Sequence, residues 1–139
     1  MNEKEESLLK RLAENVSDSM VEICSLSCTG QKKQQSYGLI CLKLAGFVLM
    51  TIKVTRTVTV GLTPEELRFH QRMTTIQCPT FILIQTHPPG TTSPSMASLR
   101  LYKGSQAEDL YHRGTEVAPI DSWPLGAVQW RLLRWRLVE

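Results

Sequence analysis

"FVLMTIKVTRTVTVGL", residues 47–62, decides how the rest of the chain is read. Val48, Met50, Ile52, Val54, Val58, Val60 and Leu62 alternate with Thr51, Lys53, Thr55, Thr57 and Thr59, the period of two that a half-buried strand requires. One straight strand of that length would span about 50 Å at roughly 3.3 Å per residue, longer than a small domain. It would also set Arg56 on the apolar face, where a guanidinium must be paired or reach water. A bend or bulge near Thr55–Thr57 removes both difficulties.

Upstream, Leu39 to Leu44 is a dense apolar run broken at Ala45-Gly46, and residues 29–36 form a polar turn after a short strand from Ile23 to Cys28. Before these, Leu8, Leu9, Leu12, Val16, Met20 and Ile23 recur every three or four residues, one apolar helical stripe. Asn2 and Glu5 have capping-box spacing, and Glu6–Lys10 is a favourable i,i+4 pair, so a helix is expected over residues 3–20.

Downstream, Thr63-Pro64-Glu65-Glu66 is a helix start, with Thr as N-cap, Pro at N1 and Glu at N3; the helix should run to about Met73. Thr80 to Gln85 is a β-rich run. Residues 87–95 hold three prolines and a glycine, which exclude the ladder and predict a mobile loop. Ala97, Leu99 and Leu101 alternate with Ser98, Arg100 and Tyr102 in another strand. Ser105 and Glu108 suggest a capping box opening a helix that ends near Gly114, and residues 115–125 read as irregular.

The tail, Trp130 to Glu139, sorts best as a terminal strand with one extra residue at Leu132–Leu133. Trp130, Leu132 or Leu133, Trp135 and Leu137 then face the core while Gln129, Arg131, Arg134 and Arg136 face outward. The alternative helix puts only Trp130, Leu133 and Leu137 on one side. The sum is an α+β fold in one domain, residues 1–139. It is a mostly antiparallel curved sheet or small sandwich of about six to seven strands, with one long N-terminal helix and two short helices.

With 139 residues, 42% hydrophobic and 21% charged, the chain suits a single globular core. Apolar runs fall short of a membrane span, and the charged start lacks a signal-peptide pattern, so an intracellular protein, cytoplasmic or nuclear, is expected. The net charge of +3 is unevenly spread: residues 2–22 carry six acids and three bases, residues 23–122 ten bases and six acids, and the last seventeen residues three arginines and one glutamate.

No phosphate-cradling glycine motif is present. Acids at Glu65, Glu66, Glu108 and Asp109 sit at helix starts, where the helix dipole already accounts for them. Cys78, with His70 and His87 nearby in sequence, is the one nucleophile to weigh, but no signature surrounds it and a small apolar residue at a helix–strand junction is the better account of it. Cys24-x3-Cys28 has no second pair to complete a zinc site, so neither metal nor cofactor is expected.

The basic residues Lys32, Lys33, Arg100, Lys103, Arg131, Arg134 and Arg136, with tyrosines and tryptophans near them, point to a polyanion, either RNA or an anionic membrane surface. Leu8, Leu12 and Val16 could offer the helical stripe to a protein partner, and an exposed sheet edge would favour a homo-oligomer. The expectation is a non-enzymatic binding and assembly protein, for example a small viral structural or accessory protein. An adaptor working through the first helix or the 87–95 loop comes second, and a cysteine-dependent enzyme last.

Overall fold

The alternation after Gly46 forms a strand that stops where Arg56 would turn inward. In a computed structural model of the chain, residues 3–16, 24–26, 37–42, 46–87 and 97–138 are described. In chain order they make α1 (Glu3–Val16), β1 (Cys24–Leu26), β2 (Tyr37–Leu42), β3 (Gly46–Thr55), α2 (Pro64–Thr75), β4 (Thr80–Thr86), β5 (Ser98–Lys103), α3 (Ala107–Arg113), β6 (Asp121–Pro124) and α4 (Trp130–Val138). Arg56 is exposed in the bend that follows β3. The Thr55 hydroxyl organises that bend, donating to the Thr59 carbonyl at 2.8 Å and accepting from the Thr57 N–H at 3.2 Å.

The strands join one sheet in sequence order, and only the β3–β4 pair is parallel. A parallel pair needs a crossover, and α2 supplies it. Thr63 caps α2 as its spacing predicts: its hydroxyl accepts from the Glu66 N–H at 3.1 Å, and Glu66 Oε1 accepts from the Thr63 N–H at 2.9 Å.

Two buried clusters lie on opposite faces of the sheet. Leu8 and Leu12 of α1 and Leu133 and Leu137 of α4 pack with Met50, Ile52, Phe81, Leu83, Leu99, Leu101 and Trp123 on one face. Leu67 of α2 and Ala107 and Leu110 of α3 pack with Ile82, Ile84 and Tyr102 on the other. The apolar run at β4 is thereby covered on both sides, as a central strand flanked by helices requires.

The expected α+β fold is overturned. The sheet is mixed and single, and it does not fold over into a sandwich. Its packed body is the four strands β3 to β6, extended beyond β3 by the β1–β2 hairpin, in place of a six- or seven-stranded antiparallel sheet. No long N-terminal helix dominates: α1, α2, α3 and α4 have 14, 12, 7 and 9 residues.

The tail is the second correction, because it is a helix and not a bulged strand. Its i, i+3, i+7 seam of Trp130, Leu133 and Leu137 meets α1, where Arg11 lies 5.9 Å from the Trp130 ring centroid. Nor does Ser105 cap α3. A 3-10 turn over Gly104–Gln106 leads into that helix, and Gln106 Oε1 accepts from the Lys103 N–H at 2.9 Å instead. No described helix is long and apolar enough to cross a membrane.

Candidate functional site

Helix α2 ends one turn before β4 begins, and the chain between them must reverse sharply. Gln77 does so at φ 59°, in the left-handed region that costs an ordinary residue on the order of 1 kcal/mol. The Cys78 N–H then closes the helix end by donating to the Met73 carbonyl at 2.8 Å. Below this turn lies a cleft of about 660 Å³ whose walls include Cys78, Thr80, Phe81, Lys103, Ile120 and Arg136. It sits where β4 starts and β5 ends, with α4 along one side.

The floor of the cleft is held by a buried imidazole. His70 of α2 is fully buried and both ring nitrogens are engaged: Nδ1 lies 2.7 Å from Thr80 Oγ1, and Nε2 lies 2.8 Å from Thr51 Oγ1. Burial pushes the His70 pKa down from 6.5 to about 4, so the ring is neutral near pH 7. Neutral imidazole has one donor and one acceptor, which two hydroxyls can match. Gly104 closes over this pair, since a Cβ there would overlap Thr80 Oγ1 and lie 2.9 Å from His70 Nδ1. On the same face of β3, Lys53 Nζ pairs with Glu66 Oε1 at 2.6 Å.

Two of the basic residues singled out in the sequence, Lys103 and Arg136, meet at this cleft. Arg136 also pairs with Asp121 Oδ2 through Nε at 3.2 Å. Arg131 is exposed on the outer face of α4. Arg100 does not join them: it is half-buried, and its Nη1 donates to the Thr115 carbonyl at 2.8 Å, bracing the connection after α3. Lys32, Lys33 and the side chain of Arg134 lie outside the described residues, as do residues 88–96 of the proline-rich loop. Leu8 and Leu12 face the core at 4% and 0% exposure, so their stripe is covered within the chain; the Val16 side chain lies outside the described residues.

The residue the sequence reading misplaced is Trp135, expected in the core but 63% exposed. Leu132, 36% exposed, stands three residues before it, and Arg131 four before, so the three share one helix surface. Leu132 is in turn four residues from Arg136. The outer face of α4 thus continues into the cation-bearing wall of the cleft. The signal was present in the sequence, because reading the tail as a helix leaves Arg131, Leu132 and Trp135 opposite the Leu133–Leu137 seam.

The thiol and imidazoles weighed for catalysis are not brought together as a dyad. Both nitrogens of His70 are taken by threonines, and His87 follows the far end of β4 from Cys78. No protein-family model, no curated protein and no solved structure matches this chain.

Proposed function

We propose that this chain is a non-enzymatic binding protein that contacts a polyanion through the outer face of α4 and the adjoining cleft. The supporting observation is the 63% exposure of Trp135 beside Arg131 and Leu132 on one helix face. A large aromatic exposed beside cations suits a surface that meets an anionic, partly apolar partner. Lys103 and Arg136 in the adjoining cleft extend the positive charge. Between the two polyanions considered, RNA and an anionic membrane, the protruding Trp–Leu pair favours the membrane, where such side chains sit at the headgroup level.

Self-association through the same patch is the second reading, favoured by Leu132 and Trp135 both being exposed hydrophobics. It does not depend on a sheet edge; the β6 edge is four residues long and ends in Pro124.

Co-sedimentation with vesicles containing phosphatidylserine, set against single-stranded RNA in a filter assay, tests the proposal. Binding to the vesicles should fall steeply with salt and drop about tenfold or more in Trp135→Ala and in Arg131→Gln. Retention of RNA alone, with the same losses, would move the assignment to RNA. Binding to neither, or binding that ignores both substitutions, would remove it. Light scattering on the same variants decides whether Trp135 also joins copies.

A further inference from the structure

Helices α2 and α3 share one face of the sheet, away from α1 and α4: Leu67 of α2 and Ala107 and Leu110 of α3 pack on the same cluster. They run in opposite directions. Gly104, just before α3, closes over His70 and shares the cleft with Thr74, near the end of α2. Just past the far end of α3, the Thr115 N–H donates at 2.8 Å to the carbonyl of Val58, which precedes the start of α2. The last turn of α2 therefore lies level with the first turn of α3.

The outer surfaces of the two helices carry opposite charge. On α2, Arg68, Arg72 and Ile76 follow one another at four-residue steps, and all are exposed, Ile76 at 68%. Arg68 makes one loose pair, 3.7 Å from Glu65, whereas Arg72 has no ion pair to any described residue. On α3, Glu108 and Asp109 are exposed in the first turn and likewise have none among the described residues. Tyr111 on the same short helix is 40% exposed. The helix dipole favours acids at that turn, but no described side chain balances them.

We infer that this face is the interface of a twofold dimer, each α2–α3 surface being covered by the same surface of a second copy. A half-turn about an axis lying between and along the two helices sets α2 of each copy over α3 of the other. That rotation keeps the level along the helices, so Arg72 of each copy meets Glu108 and Asp109 of its partner, once on either side of the axis. Ile76 and Tyr111 supply apolar area, and the charges supply register. Twelve residues of helix span about 18 Å at roughly 1.5 Å each, so a face two helices wide is small for a specific interface. The dimer is accordingly one that dissociates in the micromolar range. It does not rest on the α4 surface, which lies on the opposite face of the sheet.

Sedimentation velocity over a concentration series tests the dimer on the full chain. The parent should pass from monomer to dimer on the order of 10 μM and associate more weakly in high salt. Arg72→Glu alone, and Glu108→Arg combined with Asp109→Arg, should each weaken association about tenfold or more, because each sets like charges against one another. Mixed in equal amounts, the two variants should form heterodimers, since the mixture restores opposite charges on both sides of the axis; this rescue also shows that both are folded. Should a charge reversal unfold the chain, Ile76→Ser, at the exposed end of α2, carries the test by the same loss. A parent that stays monomeric to about 300 μM overturns the inference. So does association that Arg72→Glu leaves intact, or a mixture that associates no more strongly than its components. Association lost in Trp135→Ala but kept in Arg72→Glu would belong to α4 instead, whose vesicle binding is measured separately.

Discussion

Gly104 shows how closely a single residue can be determined by its neighbours. It needs no unusual backbone angle; the constraint is the space between Thr80 and His70. Gly104→Ala should destabilise the chain by about 1–3 kcal/mol or more, because the threonine hydroxyl and imidazole it would strike are already fixed by hydrogen bonds. Gly126→Ala is the control, since nothing lies within 4 Å of its added methyl group, and it should change stability by less than about 1 kcal/mol. Urea melts of the two variants compare them directly; equal midpoints would mean that the cleft floor can give way. The glycine was visible in the sequence, but its two neighbours come from another helix and another strand.

At the scale of elements, α4 carries the largest revision. Arginine and leucine, six of the nine residues of α4, are good helix formers, and the tail follows that preference once α1 offers its leucines as a partner surface. The strand reading sorted both tryptophans to one side and all three arginines to the other, and that consistency misled. The helix buries Leu133 and Leu137 and leaves Trp135 outside. Leu133→Ala should then cost about 2–5 kcal/mol, while Trp135→Ala should cost under about 1 kcal/mol despite removing the larger side chain. Thermal unfolding ranks them, and a Trp135 variant melting below the Leu133 variant would restore a core role for that tryptophan. By contrast, α2 was legible residue by residue, because its Thr-Pro-Glu-Glu start acts within four neighbouring positions.

For the whole molecule, the buried histidine sets a pH dependence. The folded His70 titrates at about 4 and the unfolded one at 6.5, so the unfolded chain binds the proton more readily between these values. Stability from this group is complete above 6.5 and is lost as pH falls toward 4. Between pH 7 and pH 5 the loss should be about 2 kcal/mol, read as a shift in the urea midpoint. His70→Gln keeps a donor and an acceptor but no titration, so its stability over that window should be flatter; an identical slope would place the effect elsewhere. The sequence alone determined what acts at short range: the strand before Arg56, the break after it, the cap of α2 and the helical stripe of α1. Tertiary structure decided the rest. A strand carries no local mark of whether its neighbour runs parallel or antiparallel, so the β3–α2–β4 crossover had to be resolved by packing helices on both faces of the sheet. The α4 tail, balanced between two periods, became helical because α1 was there to cover it. The cleft likewise joins residues far apart in the chain, Lys103 with Arg136, whose meeting no spacing along the sequence records.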